Sequence, residues 1–246
     1  MSILGIIPSR YGSSRLEGKP LKDICGKPMI QHVYERVMKS KLLDEVIVAT
    51  DDERIVAAVE VFGGKAQMTS VDHKTGTDRI AEVAKSKDAD IVVNIQGDEP
   101  LIDPIIIDEA IYPLINDPDL MACTLCHPLE AEEDIRNPNV VKTVFNVNGD
   151  ALLFSRSPIP YPRNKSLYKV YEHIGIYVYR KDFLMRYIQM PQTPLEITES
   201  LEQLRILENG VRLKVVVISV PYKGLSVDTQ EDLDRVRKIV SQGICS

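Results

Sequence analysis

Short runs of β-branched residues alternate with amphipathic stretches from the start of the chain, and this alternation constrains the fold most. Three apolar runs are typical of strands, at residues 3–7, 45–50 and 90–95. The third is continuously apolar, as parallel strands buried on both faces tend to be. Helical periodicity lies between and after them, at residues 28–41, 53–62 and 77–85. This order predicts an α/β fold built from βαβ units around a mostly parallel sheet.

The second half of the chain has a different rhythm. Strand-like runs become more frequent than helical ones, at residues 120–125, 140–146, 151–155, 174–179 and 213–219. Two late helices are predicted over 198–208 and 232–240, the second after a capping pair formed by Thr229 and Asp232. We expect some strands within about 117–190 to be antiparallel, as a substrate or dimer-forming region. No linker is evident, so residues 1–246 are predicted to be one domain.

Composition excludes several classes of protein. The 246 residues are 44% hydrophobic and 27% charged, which are globular proportions. A net charge of −6 with 6% aromatic residues argues against a nucleic-acid partner. No apolar run approaches the roughly 20 residues that a membrane helix needs. We therefore expect no membrane insertion and a cytoplasmic location.

A basic, glycine-containing loop follows the first predicted strand, with the sequence RYGSSRLEGKP over residues 10–20. Residues 9–41 contain eight basic side chains and three acidic ones. Ligands of open α/β sheets bind outside the carboxyl ends of strands, and such loops hold anions through backbone N–H groups and cationic side chains. The loop is therefore predicted to bind a polyphosphate. It matches neither the Walker A spacing nor the G-x-G-x-x-G fingerprint, and a solvated charged loop is the alternative.

The cysteines include a potentially misleading pattern. Cys123, Cys126 and His127 match the C-x-x-C-H pattern of haem attachment, but they lie inside an apolar run. A zinc site would need a second pair of ligands, and the sequence offers none nearby. We interpret both cysteines as small apolar residues of a buried strand.

The sequence resembles the 3-deoxy-manno-octulosonate (Kdo) cytidylyltransferases over nearly its whole length. The resemblance rests on motifs in the family's order, at residues 10–16, 18–21, 26–30, 48–52, 76–79, 96–100, 154–156, 173–177, 201–205 and 227–229. It implies a Rossmann-like, mostly parallel or mixed sheet of the nucleotide-diphospho-sugar transferase type, with a smaller antiparallel embellishment. One departure is Glu17, where the family usually has Pro.

The resemblance implies a reaction and the residues that bind its nucleotide. CMP passes from CTP to the anomeric hydroxyl of an acidic eight-carbon sugar, and pyrophosphate leaves. Arg10, Arg15 and Lys19 are implied to act on the triphosphate. The wider set implied to bind CTP is Ser9, Arg10, Ser13, Arg15, Lys19, Thr77, Arg79, Gln96, Gly97 and Asp98.

Two aspartates are implied to hold Mg²⁺. Asp98 follows the predicted strand 90–95, and Asp228 precedes the last helix. Magnesium takes one or two carboxylates together with substrate phosphates. Capping of the helix is the alternative role for Asp228. Asp98, Asp228, Lys19, Arg10 and Arg15 are thus the predicted catalytic set.

The resemblance also implies a sugar site and a homodimer. The sugar-binding residues are expected to be Gln96, Ser155, Arg156, His173, Tyr177, Glu202 and Gln203. Arg156 is a natural partner for the sugar carboxylate, because its guanidinium can pair with both oxygens. The 8-amino analogue of Kdo and other acidic sugars remain alternative substrates, and the product could serve lipopolysaccharide or capsule synthesis.

Overall fold

The computed structural model of the chain describes residues 1–12, 15–222 and 224–243. The strands are β1 (Ile3–Ser9), β2 (Asp23–Ile24), β3 (Lys27–Pro28), β4 (Glu45–Thr50), β5 (Ala66–Met68), β6 (Ile91–Asn94), β7 (Ala122–Leu129), β8 (Lys142–Phe145), β9 (Ala151–Ser155), β10 (Val170–Arg180) and β11 (Leu213–Val217). The helices are α1 (Met29–Val37), α2 (Glu53–Val61), α3 (Gly76–Lys85), α4 (Pro104–Asn116), α5 (Glu132–Arg136), α6 (Lys181–Tyr187), α7 (Pro194–Glu199), α8 (Leu204–Glu208) and α9 (Gln230–Ser241).

These elements form two compact units, one from Met1–Asp108 together with the chain from Tyr222 onward, the other from Glu109–Pro221. The prediction of one domain over residues 1–246 stays a prediction.

The first unit contains a parallel sheet in the order β6-β1-β4-β5. Strands β1, β4 and β6 are rich in β-branched residues and largely buried, and Ile6 and Val48 are fully inaccessible to solvent. Helices α1 and α3 pack on β1 and β4, and β2 and β3 form a small antiparallel ribbon. The predicted mostly parallel α/β architecture is confirmed.

The register of this sheet gathers several loops at one edge. Ser9 at the end of β1 lies opposite Thr50 at the end of β4, and Ile6 lies opposite Asn94 at the end of β6. Because the strands are parallel, the segments that follow them leave from the same edge. These segments are the basic loop, Asp51 with Asp52, and residues 95–98.

Two capping boxes fix helix starts beside that edge. Thr75 and Asp78 exchange side-chain and backbone hydrogen bonds at the start of α3, and Thr229 and Asp232 do so at the start of α9. The predicted capping pair is confirmed, with Asp in place of the usual Glu. Pro28 lies at the N-cap of α1, immediately before its first turn.

The second unit contains the antiparallel strands. Strand β10 pairs antiparallel with β7 and β8, and β8 pairs antiparallel with β9, whereas β11 runs parallel to β7. The expected antiparallel region within about 117–190 is confirmed. Cys123 and Cys126 are buried in β7, and burial raises the pKa of the Cys126 thiol to about 12. This agrees with their interpretation as apolar core residues.

One helix prediction is wrong, and helices α4, α5 and α6 were not predicted. The helix expected over 198–208 is two helices, α7 and α8, because Ser200 takes the left-handed conformation (φ 52°, ψ 48°) and ends α7. Helix α4 is missed because Pro113 lies inside it and its apolar residues are not confined to one stripe. Within the described ranges, no helix combines the length and apolarity that a bilayer crossing requires.

Candidate active site

A polar cavity of about 310 Å³ lies in the first unit, at the carboxyl edge of the parallel sheet. It is lined by the end of β1, the segment after β6, the basic loop, the start of α3 and Asp228. The lining residues are Pro8, Ser9, Arg10, Arg15, Lys19, Pro20, His73, Lys74, Thr75, Gly76, Arg79, Gln96, Gly97, Asp98 and Asp228. Most of the residues predicted to bind CTP therefore lie around one cavity.

Lys19 lies between the two predicted metal-binding aspartates. Its Nζ is 2.8 Å from Asp98 Oδ2 and 3.2 Å from Asp228 Oδ1. Since both contacts end on one nitrogen, the two oxygens can lie no farther apart than about 6.0 Å. Arg15 adds a second cation, with Nη2 3.0 Å from Asp228 Oδ1. Asp98 and Asp228, which are 130 positions apart in the sequence, thus join Lys19 and Arg15 in one charged cluster.

Backbone geometry explains how this cluster forms. The Val227 N–H donates to the carbonyl of Asp98 over 2.9 Å, which holds the segment before α9 against the segment after β6. On the other side, Gly18 takes a left-handed conformation (φ 64°) just before the 3₁₀ turn Lys19–Leu21. Thr229 caps α9, so the carboxylate of Asp228 is left to pair with Lys19 and Arg15 and has no capping role.

Gly97 is required by a close backbone approach. A Cβ at this position would lie 2.7 Å from the carbonyl oxygen of Pro8, which is closer than such contacts normally occur. The absence of a side chain therefore lets the segment after β6 lie directly against the end of β1. This contact forms the wall of the cavity between Ser9 and Asp98.

Within the described ranges, the Ser9 hydroxyl has no hydrogen-bond partner and Arg10 has no ion pair. Ser9 is 5% exposed, and its Oγ makes no hydrogen bond among the described residues. Arg10 is exposed and lines the cavity, and the described part of the chain offers it no ion pair. Both are available to a ligand. Ser13, also predicted to bind CTP, lies outside the described residues.

Arg79 and Thr77 are largely buried at the start of α3. Arg79 is 4% exposed, and its guanidinium donates to Asp51 Oδ2 over 2.7 Å and to Thr69 Oγ1 over 2.5 Å. It still contributes surface to the cavity. Thr77 is 4% exposed. Sequence reasoning missed Lys74 as a cavity residue, and its place directly before the 76–79 motif was the available signal.

The predicted sugar-binding residues other than Gln96 lie in the second unit. Ser155 Oγ donates to Glu199 Oε1 over 2.6 Å, and the Arg156 backbone N–H donates to Glu199 Oε2 over 2.9 Å. The Arg156 guanidinium donates to the carbonyls of Glu199, Pro138 and Ser200. Glu199, which the sequence did not single out, holds this pair in place.

His173 and Tyr177 lie together on β10, with ring centroids 5.4 Å apart. His173 Nε2 is hydrogen-bonded to Thr124 Oγ1 over 2.9 Å, and burial lowers the pKa of His173 to about 3. Burial, and then the charge of Glu202, raises the pKa of Tyr177. His173 is therefore neutral at pH 7 and Tyr177 keeps its proton, so both can exchange neutral hydrogen bonds.

Glu202 and Gln203 do not lie on a helix, contrary to prediction. They occupy the turn between α7 and α8 that the left-handed Ser200 opens. The Tyr187 hydroxyl donates to the carbonyl of Glu202 over 2.7 Å, and Gln203 is 4% exposed. The turn is fixed by Arg205, which donates to both carboxylate oxygens of the buried Glu196.

A metal site in the cavity would depend on few protein ligands. Within the described ranges, no three His, Cys, Asp or Glu side chains are grouped so that they could hold an ion by themselves. Asp98 and Asp228 instead offer a pair of carboxylates beside an anion-binding loop. Such a pair fits a hard cation that takes its remaining ligands from substrate phosphates and water.

Comparison with known proteins agrees with this geometry. A family model described as Cytidylyltransferase matches residues 4–214. The chain is 56% identical to a 3-deoxy-manno-octulosonate cytidylyltransferase of Geotalea daltonii, covering 96% of this chain and 97% of that protein. It is 53% identical to the protein of the same name from Geobacter metallireducens, covering 98% and 99%.

One solved structure supports the same family, and a second shares the fold. A CMP:2-keto-3-deoxy-manno-octonic acid synthetase complexed with CTP superposes with a TM-score of 0.94 at 48% identity, over 99% of this chain and all of that one. A 4-diphosphocytidyl-2C-methyl-D-erythritol synthase of Anaerococcus prevotii shares the fold, with a TM-score of 0.65 at 17% identity, over 98% of this chain and 96% of that one. From these identities over nearly its full length, the chain belongs to the cytidylyltransferase family, among the 3-deoxy-manno-octulosonate cytidylyltransferases.

Proposed function

We propose that this protein transfers CMP from CTP to the anomeric hydroxyl of Kdo, giving CMP-Kdo and pyrophosphate. The hydroxyl oxygen forms a bond to the α-phosphorus, the bond from that phosphorus to the bridging oxygen breaks, and the hydroxyl proton is lost. The observation that carries the proposal is the cluster that Lys19 of the basic loop forms with Asp98 and Asp228. The names of relatives 53–56% identical to the chain support the same substrates.

The basic loop acts on the leaving group. Negative charge grows on the pyrophosphate as the bond breaks, so cations fixed there stabilise the transition state more than the ground state. Arg10 has no acidic partner to displace among the described residues, and the Arg15 side chain is 65% exposed. Lys19, only 15% exposed, is held in the cavity by two carboxylates.

Asp98 and Asp228 are proposed to hold Mg²⁺. Their hard oxygen donors fit this ion, and without a cation two carboxylates would repel a triphosphate. When bound, Mg²⁺ would neutralise triphosphate charge and lower the pKa of the attacking hydroxyl. The chain's own part is to keep both acids close to Lys19.

The remaining predicted residues are assigned either to CTP or to the sugar. Ser9, Ser13, Thr77, Arg79, Gln96 and Gly97 are proposed to bind the rest of CTP. Arg156 has five N–H donors, and those not used on backbone carbonyls remain for the sugar carboxylate. Gln96, Ser155, His173, Tyr177, Glu202 and Gln203 are proposed to bind the sugar hydroxyls.

The setting of the activity is also part of the proposal. We propose a cytoplasmic homodimer whose antiparallel region within about 117–190 forms the contact. Its product would serve the synthesis of lipopolysaccharide or capsule.

A pyrophosphate-release assay tests the function directly. The purified chain is given CTP, MgCl₂ and one sugar at a time: Kdo, its 8-amino analogue or a sialic acid. We expect release with Kdo, none when EDTA removes the divalent ion, and recovery when Mg²⁺ is restored. Preference for the 8-amino analogue would overturn the substrate, and unchanged release in EDTA would overturn the metal.

A further inference from the structure

The Val48–Asp52 segment ends in two aspartates that the proposed reaction does not use, and Asp51 contacts two separate walls of the CTP cavity. Its Oδ1 accepts the backbone N–H of Tyr11 over 3.4 Å. Its Oδ2 accepts from the Arg79 guanidinium over 2.7 Å. Tyr11 belongs to the basic loop and Arg79 to α3, so one carboxylate connects the two.

Asp52 reaches the same loop through Arg54. Arg54 donates to Asp52 through Nε (2.9 Å) and Nη2 (2.7 Å), which fixes the plane of its guanidinium. That guanidinium lies 3.4 Å from the centroid of the Tyr11 ring, a cation–π contact. Gly18 also lies against this ring, and its N–H donates to the carbonyl of Tyr11 over 3.1 Å.

These contacts hold both ends of the segment that carries the predicted phosphate-binding cations. Arg10 precedes Tyr11, and Lys19 follows Gly18. Asp51, Asp52 and Arg54 do not themselves line the cavity. Any effect they have on CTP must therefore pass through the residues they hold.

We propose that Asp51 and Asp52 are positioning residues that fix the basic loop before CTP binds. Asp51 holds it against the start of α3, and Asp52 holds it through Arg54. The inference rests on the proposed function. A loop whose cations are already in place binds a triphosphate more tightly than a loop that the ligand must order. The entropy cost of ordering the loop is then not taken from the binding free energy.

The first test replaces Asp51 by Asn. An amide oxygen can still accept from Tyr11, but the amide N–H₂ then faces the N–H groups of Arg79. We expect the Kd for CTP, measured by calorimetry well below the Tm of each variant, to rise about 10- to 100-fold, as for loss of a charged hydrogen bond. Asp117→Asn is the matched control, because Asp117 likewise accepts from one arginine, Arg212, and one backbone N–H, that of Asp119. It should leave the Kd unchanged.

The second test distinguishes the effect on the basic loop from the effect on the start of α3. Arg54→Met removes the contact with the Tyr11 ring and the ion pair with Asp52, but leaves the bonds of Asp51 to Tyr11 and Arg79 in place. The Arg54 side chain is exposed, so the variant should still fold. It should weaken inhibition by pyrophosphate several-fold and leave inhibition by CMP unchanged, whereas Asp51→Asn should weaken both. A general loss of structure would lower Tm without separating the two inhibitors.

The outcomes distinguish this inference from the proposed function. If the wild-type chain neither binds CTP nor releases pyrophosphate, the function is wrong. If it does both and Asp51→Asn and Arg54→Met bind CTP as tightly as wild type, the positioning role is wrong. Equal weakening by the Asp117→Asn control would also overturn it.

Discussion

Replacement of His173 by Gln should make the fold less sensitive to acid. His173 lies on β10, where Nε2 bonds to Thr124 Oγ1 over 2.9 Å and the Phe154 ring packs edge-on at 5.0 Å. Burial lowers its pKa in the folded protein to about 3. In the unfolded chain the same imidazole titrates near its ordinary pKa of about 6.5.

The sign and size of the effect follow from these two pKa values. Between about pH 6.5 and pH 3, the unfolded chain binds a proton at His173 and the folded chain does not, so lowering the pH favours unfolding. From pH 7 to pH 5, this single group lowers the free energy of unfolding by about 2 kcal/mol. Gln has no proton to bind, and its amide can donate to Thr124 in place of the imidazole.

Urea titrations of wild type and His173→Gln at pH 7 and pH 5 measure the difference. Any cost in packing lowers the variant's free energy of unfolding equally at both pH values. The free energy of the variant should therefore fall by about 2 kcal/mol less than that of wild type between pH 7 and pH 5. Equal falls in the two proteins would refute the assignment of a neutral, half-buried His173.

Four substitutions test the cavity. Asp98→Asn and Asp228→Asn should each lower kcat about 10²–10³-fold and change Tm little, because the partly exposed ion pairs lost contribute only about 0–1 kcal/mol; pyrophosphate release and calorimetry check this. Lys19→Met should raise the KM for CTP and slow turnover about 10²-fold, as measured by initial rates. Gly97→Ala should weaken CTP binding at least about tenfold, since its Cβ would push the segment after β6 away from Pro8.

The results that contradict these expectations differ. Wild-type rates in Asp98→Asn or Asp228→Asn would mean that the metal is held elsewhere. An unchanged KM for CTP in Lys19→Met would show that the basic loop does not bind the nucleotide. CTP binding of wild-type strength in Gly97→Ala would show that this wall of the cavity is not used.

The parts of the fold that the sequence predicts are those with strong local signals. Strand β4 was predicted at its observed bounds, and α2 and α3 to within a residue, because β-branched runs, caps and helical periodicity agree there. The break between α7 and α8 has no such signal, because a left-handed Ser200 is fixed by tertiary contacts and has no favouring residue type. Helix α4 was missed because Pro113 argues locally against it.

The candidate site likewise has parts that local sequence signals predict and parts that they do not. The position of the basic loop after β1 follows from the charge pattern and the parallel sheet. The meeting of Asp98 with Asp228 depends on the hydrogen bond between Val227 and Asp98, which no spacing reveals, and only the resemblance suggested it. Glu199 has no signal in the sequence, and Asp51 lies in the 48–52 motif without any sign of its role, because both act through the groups they hold.

The first unit is discontinuous in sequence, and the carboxylate of Asp228 comes from its last segment. A nascent chain that has emerged only as far as Pro221 has already made Lys19 and Asp98 but not the second acid. The complete charged cluster therefore cannot exist until the segment that follows Pro221 has been translated and has docked on the earlier part of the first unit. Synthesis itself delays the onset of catalysis, and a premature stop codon before Asp228 would remove the second acid together with Leu233 and Val236, which are buried in the core of the first unit.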